Sequence, residues 1–289
     1  MKNLAWLAVL LVLVVARPAV ARELAIVAAE NFYGDVAAQL SAPDARVSSI
    51  LSNPDDDPHM FEASPSVARA LSAASIVIYN GADYDPWMDK LLAAARSADR
   101  RVVVVGDLVH AKPGDNPHLW YDTANVATAA KAISAALVAA DPARAALYRL
   151  RLESFIASLA PIEAKVAAMR AAYHGTSVTA TEPVFGDMAT ALGLVMRNRR
   201  FQIAVMNDTE PAASDVAAFE TDLRQHKVRV LIYNSQATDE SARRLMGIAE
   251  QSRIPVVGVT ETEPLGMSYQ SWMDSELDAL AAALARSGS

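Results

Sequence analysis

The chain has 289 residues, with 33 acidic side chains, 26 basic side chains and a formal net charge of −7. This acidic balance argues against a nucleic-acid partner, because such a partner is bound by a basic stripe. The sequence contains no cysteine, which excludes disulfides, thiolate metal sites and a lipid-modified cysteine.

Residues 1–21 predict a secretory signal peptide. Lys2 supplies the basic start, Leu4 to Ala16 form an apolar run, and a small-x-small cleavage site follows. The run is shorter than the roughly 20 residues that span a bilayer. We therefore expect a soluble mature protein that begins near Arg22 and is secreted into a bacterial periplasm. Arg17 lies late in the apolar run and leaves an uncleaved anchor as the alternative.

The first part of the mature chain alternates between short β-rich runs and helical patterns. Alternation of this kind predicts a parallel sheet covered by helices on both faces. The predicted strands are Glu23 to Ala28, Arg46 to Leu51, Ala74 to Tyr79 and Arg101 to Val105, and the predicted helices are Tyr33 to Leu40, Pro65 to Ala73 and Pro86 to Ala98.

A long helical stretch follows the first alternating region. It breaks at Asp141-Pro142, where aspartate can cap a helix and proline can take its first position. The segment from Pro142 to Ala172 would be roughly 45 Å long, with a kink expected at Pro161. We interpret it as a helix that links two domains, residues 22–141 and 173–289. A helical hairpin within one domain is the alternative.

The alternation resumes after the long helix and predicts a second domain of the same kind. The fold class is therefore α/β, with two lobes that each contain a roughly four-stranded parallel sheet. The predicted strands are Ser177 to Thr181, Phe201 to Val205, Val228 to Tyr233 and Val256 to Thr260, and the predicted helices are Phe185 to Leu192, Ser214 to His226, Ser241 to Gln251 and Tyr269 to Arg286.

Four candidate metal ligands follow predicted strands, where open parallel sheets hold their ligands. His59 and His118 follow strands of the first domain, and Glu182 and Glu261 follow strands of the second. If the domains face each other across a cleft, these four side chains can meet. Prolines at 54, 58 and 65 stiffen the loop that carries His59.

The other candidate ligands fit this arrangement less well. His174 precedes its strand, His226 lies near a helix end, and Glu210 competes with the two glutamates but also suits a helix start. His110 lies in a Lys-Pro-Gly loop, and Asp55 to Asp57 read as a solvated turn.

Two imidazoles and two carboxylates make a ligand set for one divalent first-row metal ion. Intrinsic affinity favours Zn²⁺, whereas the oxygen donors shift the preference toward Mn²⁺ or Fe²⁺. The ligand types alone leave the metal open.

Several motifs resemble the cluster 9, TroA-like receptors of bacterial ABC importers for zinc and manganese. They are Pro58-His-x-Phe-Glu-x-Ser-Pro65, Asn80-Gly-Ala-x-Tyr-x-Pro-Trp87 and Asn116-Pro-His-Leu-Trp120, together with the long helix. The resemblance implies two lobes joined by one rigid helix, and one metal ion that is bound in the cleft and delivered to a membrane permease.

The resemblance also implies ligands, position by position. His59 and His118 match the first two, and Glu182 stands where zinc receptors often have histidine and manganese receptors often have glutamate. Glu261 stands where the family usually has aspartate, with Glu263 as the alternative. The histidine-rich loop of many zinc receptors is missing before His118, which favours manganese.

We therefore expect a monomeric receptor that captures Mn²⁺ or Zn²⁺ and catalyses no reaction. A zinc hydrolase is one alternative, although the chain has neither a His-Glu-x-x-His nor a Gly-x-Ser-x-Gly motif. A surface adhesin that needs no metal is the other.

Overall fold

The computed structural model describes residues 23–53, 61, 63–207, 209–236 and 240–286. Within them the chain forms two lobes, and each lobe contains a four-stranded parallel sheet. Helices flank both sheets, as the alternating pattern predicts.

The first lobe has the strand order β2-β1-β3-β4. Ser64 starts the second helix by accepting a hydrogen bond from Val67 N, and Pro65 occupies the first turn. The strands are β1 (Leu24–Glu30), β2 (Ala45–Leu51), β3 (Ile76–Tyr79) and β4 (Arg101–Val104), and the helices are α1 (Asn31–Ser41), α2 (Pro65–Ala73), α3 (Trp87–Ala94), the short α4 (Val105–Leu108) and α5 (Thr123–Ala140).

The second lobe repeats this topology with the order β6-β5-β7-β8. In both lobes, therefore, the carboxyl ends of all four strands lie at one edge of the sheet. The strands are β5 (Ser177–Ala180), β6 (Val195–Arg197), β7 (Leu231–Asn234) and β8 (Val256–Val259), and the helices are α7 (Gly186–Ala191), α8 (Arg199–Met206), α9 (Ala213–Arg224), α10 (Glu240–Gln251) and α11 (Tyr269–Arg286).

One predicted strand of the second lobe is wrong. Phe201 to Val205 lies inside helix α8, and the strand is the short β6 just before it. Phe201 and Val205 are four positions apart and therefore share one helical face. Phe201 is buried against Phe219, with ring centroids 4.9 Å apart. The predicted strand before Glu210 is therefore absent.

The helix between the lobes, α6, runs from Ala145 to Tyr173 after a 3₁₀ turn at Pro142–Arg144. Pro161 lies inside it. Helix α5 packs along α6. By length and hydropathy α5 could cross a membrane, but its side chains at Ile133 and Leu137 are fully buried in the core.

The two lobes share one hydrophobic core, which extends across the space between them. Trp120 of the first lobe packs on Phe32 with ring centroids 4.4 Å apart. Tyr121 contacts two rings of the second lobe, Phe185 at 5.2 Å and Trp272 at 5.8 Å. All five rings are at most 1% exposed. This packing joins the lobes directly, in addition to the connection through α6.

Candidate metal centre

Three of the four predicted ligands lie buried where the two lobes meet. His118 stands just before a 3₁₀ turn of the first lobe. Glu182 and Glu261 each lie two residues beyond the end of a strand, β5 and β8. His118 and Glu261 are 1% exposed and Glu182 is 9% exposed. His59 and the acidic run 55–57 lie outside the described residues.

Asn116 fixes the ring of His118. Its Oδ1 lies 2.6 Å from His118 Nδ1, and its Nδ2 donates to Pro183 O of the second lobe at 3.0 Å. An amide oxygen can only accept, so Nδ1 carries the proton, and the free lone pair of the imidazole is then the one on Nε2. Nε2 is buried and has no hydrogen-bond partner within the described residues. A histidine held in this way is prepared to bind a metal through Nε2.

Glu261 faces this imidazole from the second lobe. Its Oε2 lies 3.7 Å from His118 Nε2 and accepts a hydrogen bond from Tyr84 OH at 3.0 Å. Two donor atoms bound to one metal at about 2.1 Å in tetrahedral geometry are separated by about 3.4 Å. The 3.7 Å between His118 Nε2 and Glu261 Oε2 is close to this separation, so both atoms could bind one metal ion after a small shift.

Glu182 is connected to Glu261 through Asn234, the last residue of β7. Asn234 Nδ2 donates to Glu182 Oε2 at 3.1 Å and to Glu261 Oε1 at 2.5 Å. Within the described part of the chain, no three His, Asp or Glu side chains form a ready group of metal ligands. Among the described residues, His118 and Glu261 form one close pair of predicted ligands. Glu182 lies on the other side of the Asn234 amide from Glu261.

The backbone of residues 260–263, which carries Glu261, is held by side chains from outside the segment. Glu276 Oε1 accepts from Thr260 N at 3.0 Å. Gln236 Oε1 accepts from the next two N–H groups at 2.5 and 3.1 Å, and Asn31 Oδ1 accepts from Glu263 N at 3.0 Å. Every N–H group of this segment therefore has a side-chain acceptor, which fixes the position from which the Glu261 carboxylate extends.

Glu263, the alternative fourth ligand, is held differently. Burial and then the nearby carboxylate of Asp35 raise its pKa to about 9. Its backbone is bound to Asn31 through both N–H and carbonyl. A protonated carboxyl is a poor metal ligand, and it is Glu261 that faces His118.

The loop that supplies Tyr84 is closed by the buried carboxyl group of Asp85, which lies near a second buried acid, Glu30. Asp85 accepts hydrogen bonds from the N–H groups of Asn80 and Gly81, both at 2.8 Å. Glu30, at the end of β1, is fully buried. Burial and then the charge of Asp85 hold the pKa of Glu30 well above its ordinary value. The loop places the ring of Tyr84 beside the imidazole of His118, with ring centroids 5.8 Å apart.

The remaining candidates do not join this site. His110, His174, His226 and Glu210 are exposed. His110 and His226 adopt positive φ, which suits turns, and His174 ends helix α6. Glu210 follows helix α8, and the strand expected before it does not exist.

The sequence did not reveal three residues that organise the site, Tyr84, Asn234 and Gln236. Asn234 ends a strand at the same edge of the sheet as the predicted ligands, so its position was a usable signal. Tyr84 lies in a motif already singled out, but nothing in the sequence pairs it with Glu261, 177 positions away.

Comparisons with known proteins agree with this architecture. The family model ZnuA, described as zinc-uptake complex component A, periplasmic, matches residues 26–283. The manganese ABC transporter substrate-binding lipoprotein PsaA of Streptococcus anginosus is 24% identical over 316 residues, covering 99% of this chain and 100% of the relative.

Solved structures show the same fold. The periplasmic zinc-binding protein TroA of Treponema pallidum has a TM-score of 0.76 at 20% identity, covering 91% of this chain and 99% of that chain. The laminin-binding adhesin Lmb of Streptococcus agalactiae, a mutant structure, has a TM-score of 0.75 at 18% identity, covering 90% and 99%. At these identities, structural likeness shows the fold alone. The match of the family model over most of the sequence shows that the chain belongs to the ZnuA family of periplasmic zinc-uptake components.

Proposed function

We propose that this protein captures one divalent transition-metal ion, zinc or manganese, between its lobes and delivers it to the permease of an ABC importer. Membership of a family of periplasmic uptake components supports this role. In this proposal the protein is a periplasmic monomer that catalyses no reaction, and residues 1–21 direct its secretion. The ion is its cargo.

The observation that carries the proposal is the approach of His118 Nε2 to Glu261 Oε2 at 3.7 Å inside a buried site. One atom comes from each lobe, and Nε2 has no hydrogen-bond partner within the described residues. A buried polar atom without a partner is costly unless something else satisfies it. A metal ion between the two atoms would satisfy both.

The proposed ligands are His59, His118, Glu182 and Glu261. Two neutral imidazoles and two carboxylates would leave a bound divalent ion with no net charge, which lowers the cost of burying it. Because imidazole must be deprotonated to bind, metal affinity is expected to fall as the pH drops below about 6.

Titration calorimetry with Zn²⁺ and Mn²⁺ tests the ligand set. Each of His59→Ala, His118→Ala, Glu182→Ala and Glu261→Ala is expected to weaken binding by at least about 100-fold, the upper end of the loss seen when a residue supporting a ligand is removed. His110→Ala, at an exposed histidine, is the matched control and should bind like the wild type. Unchanged affinity in any ligand variant would remove that residue from the set.

A second measurement tests the function itself. The protein purified from periplasm without added metal is expected to contain one equivalent of zinc or manganese by elemental analysis. Wild-type protein with neither bound metal nor calorimetric binding would contradict metal capture as a whole.

A further inference from the structure

The chain that follows the proposed ligand Glu261 projects an apolar turn, residues 264–267, into solvent. Met267 N donates to Pro264 O at 3.2 Å, and Gly266 adopts a φ of +79°, as the third residue of a type II turn requires. Leu265 is 77% exposed, the highest value among the large apolar side chains of the described residues, and Met267 is 39% exposed. Turns are usually built from glycine, proline and small polar residues, so this turn presents apolar surface where polar side chains are usual.

Both ends of the apolar turn are fixed to the first lobe. Before the turn, Glu263 is bound to Asn31 through its N–H and its carbonyl. After the turn, Tyr269 N donates to Asp35 Oδ2 at 2.9 Å. Asn31 and Asp35 both belong to α1. The exposure of Leu265 is thus a fixed feature of the fold, and a partner that binds the turn has little conformational freedom to remove from it.

The apolar turn belongs to a segment without charge. Residues 264–273 contain no Asp, Glu, Lys or Arg, whereas 20% of the whole chain is charged. The buried centres of protein interfaces are depleted in charged residues and enriched in methionine. The composition of this segment therefore suits a protein partner that offers an apolar pocket.

We propose that the apolar turn is a contact surface for the permease of the importer, and that Leu265 inserts into an apolar pocket of that membrane protein. This inference rests on the proposed function, which supplies the partner. The permease must bind where the ion can leave, and Leu265 lies four residues after Glu261. Two other exposed aliphatic side chains, Leu150 and Ile203, lie on α6 and α8, which carry no proposed ligand.

Metal uptake by cells tests the inference. In the native host with its own copy of the gene deleted, the wild-type chain is expected to restore uptake of radioactive Zn²⁺ or Mn²⁺. With limiting amounts of protein, the double variant Leu265→Ser/Met267→Ser should lower uptake by about 10-fold, the effect of losing one interface anchor. Its calorimetric metal affinity should equal that of the wild type, because no proposed ligand is changed. Leu265→Met keeps an apolar side chain of similar volume and should support wild-type uptake.

Ile203→Ser is the matched control. Ile203 is 44% exposed on α8 of the same lobe, so the substitution removes exposed apolar surface at another place and should leave uptake unchanged. Wild-type uptake by the folded double variant would overturn the inference. So would a loss of metal affinity large enough to explain the loss of uptake, because the turn would then act on the metal site.

Other occupants of the apolar turn give different results, and each would overturn the inference. A wild-type dimer that becomes a monomer in the double variant, measured by light scattering, would assign the turn to a second copy of the chain. Wild-type binding to phosphatidylethanolamine–phosphatidylglycerol vesicles that the double variant loses would assign it to lipid. A wild type that binds no metal would instead contradict the proposed function.

Discussion

Asn31 of the first lobe holds the backbone of Glu263 in the second lobe by two hydrogen bonds. Its Nδ2 donates to Glu263 O at 2.6 Å, and its Oδ1 accepts from Glu263 N at 3.0 Å. Glu263 lies two residues after the proposed ligand Glu261. The position of one lobe is thereby coupled to the position of a ligand carried by the other.

Loss of this clamp should speed the release of metal. Asn31→Ala removes both hydrogen bonds, so the segment 260–263 can move without resistance from the first lobe. The metal dissociation rate is expected to rise by about 10-fold, and the free energy of unfolding to fall by about 1–2 kcal/mol. Stopped-flow transfer of the metal to a chelator and denaturant unfolding measure the two quantities.

Gln39→Ala is the control for this experiment. Gln39 also contacts the second lobe, through two reciprocal 3.0 Å hydrogen bonds with Gln270 that do not touch segment 260–263. It should lower stability by a similar amount without changing the dissociation rate. Equal dissociation rates for the two variants would refute the coupling.

Glu276 should make the protein less stable as the pH rises toward neutrality. Burial raises its pKa from 4.5 to about 7. Between these values the folded protein holds a proton that the unfolded chain has lost, so the free energy of unfolding decreases with increasing pH through this window. The protonated form also suits Tyr121, whose single hydroxyl hydrogen can then go to Thr260 O while Glu276 donates to the hydroxyl oxygen.

Glu276→Gln imitates the protonated carboxyl at every pH. Its free energy of unfolding should be close to the wild-type value near about pH 5 and exceed it by about 1–3 kcal/mol near about pH 8. Urea unfolding at a series of pH values measures this. Glu250→Gln, at an exposed position of α10, should keep the wild-type profile. Parallel profiles for Glu276→Gln and the wild type would show that Glu276 is not protonated in the folded state.

The lobes are expected to unfold together. Trp272 is 1% exposed, contacts rings from both lobes and donates from Nε1 to Glu276 at 2.9 Å. Trp272→Ala should cost about 3–5 kcal/mol, while calorimetry should still show one transition, because the damaged core belongs to both lobes. Trp87 is only partly buried and packs against a separate core cluster of the first lobe, so Trp87→Ala should cost less. Two separate transitions in the wild type would disprove a shared core.

Much of the fold follows from local patterns in the sequence. The alternation of strands and helices predicts both parallel sheets, and the break at Asp141-Pro142 correctly separates α5 from α6. The error at Phe201 to Val205 arises because a short run of five residues, four of them apolar, fits a strand and a helix equally well. Only the contact with Phe219 shows that one helical face is buried there.

The candidate site is partly predictable for a general reason. The rule that ligands lie beyond the carboxyl ends of parallel strands identifies His118, Glu182 and Glu261 as neighbours. It says nothing about the groups that hold them, because contacts such as Asn31 with Glu263 join positions 232 residues apart. Such pairs depend on how the lobes pack, which no local pattern encodes.

The side chains that hold segment 260–263 fix the course of its backbone independently of the side chain at position 261. Gln236, Glu276 and Asn31 bind main-chain atoms of the segment, and Gln236 also donates to the Thr262 hydroxyl. None of these contacts depends on which side chain stands at position 261. An aspartate there would withdraw its carboxylate by one methylene group while the backbone kept its course. A single substitution at position 261 could thus change the size of the ion that the site accepts, while the backbone of the loop stays the same.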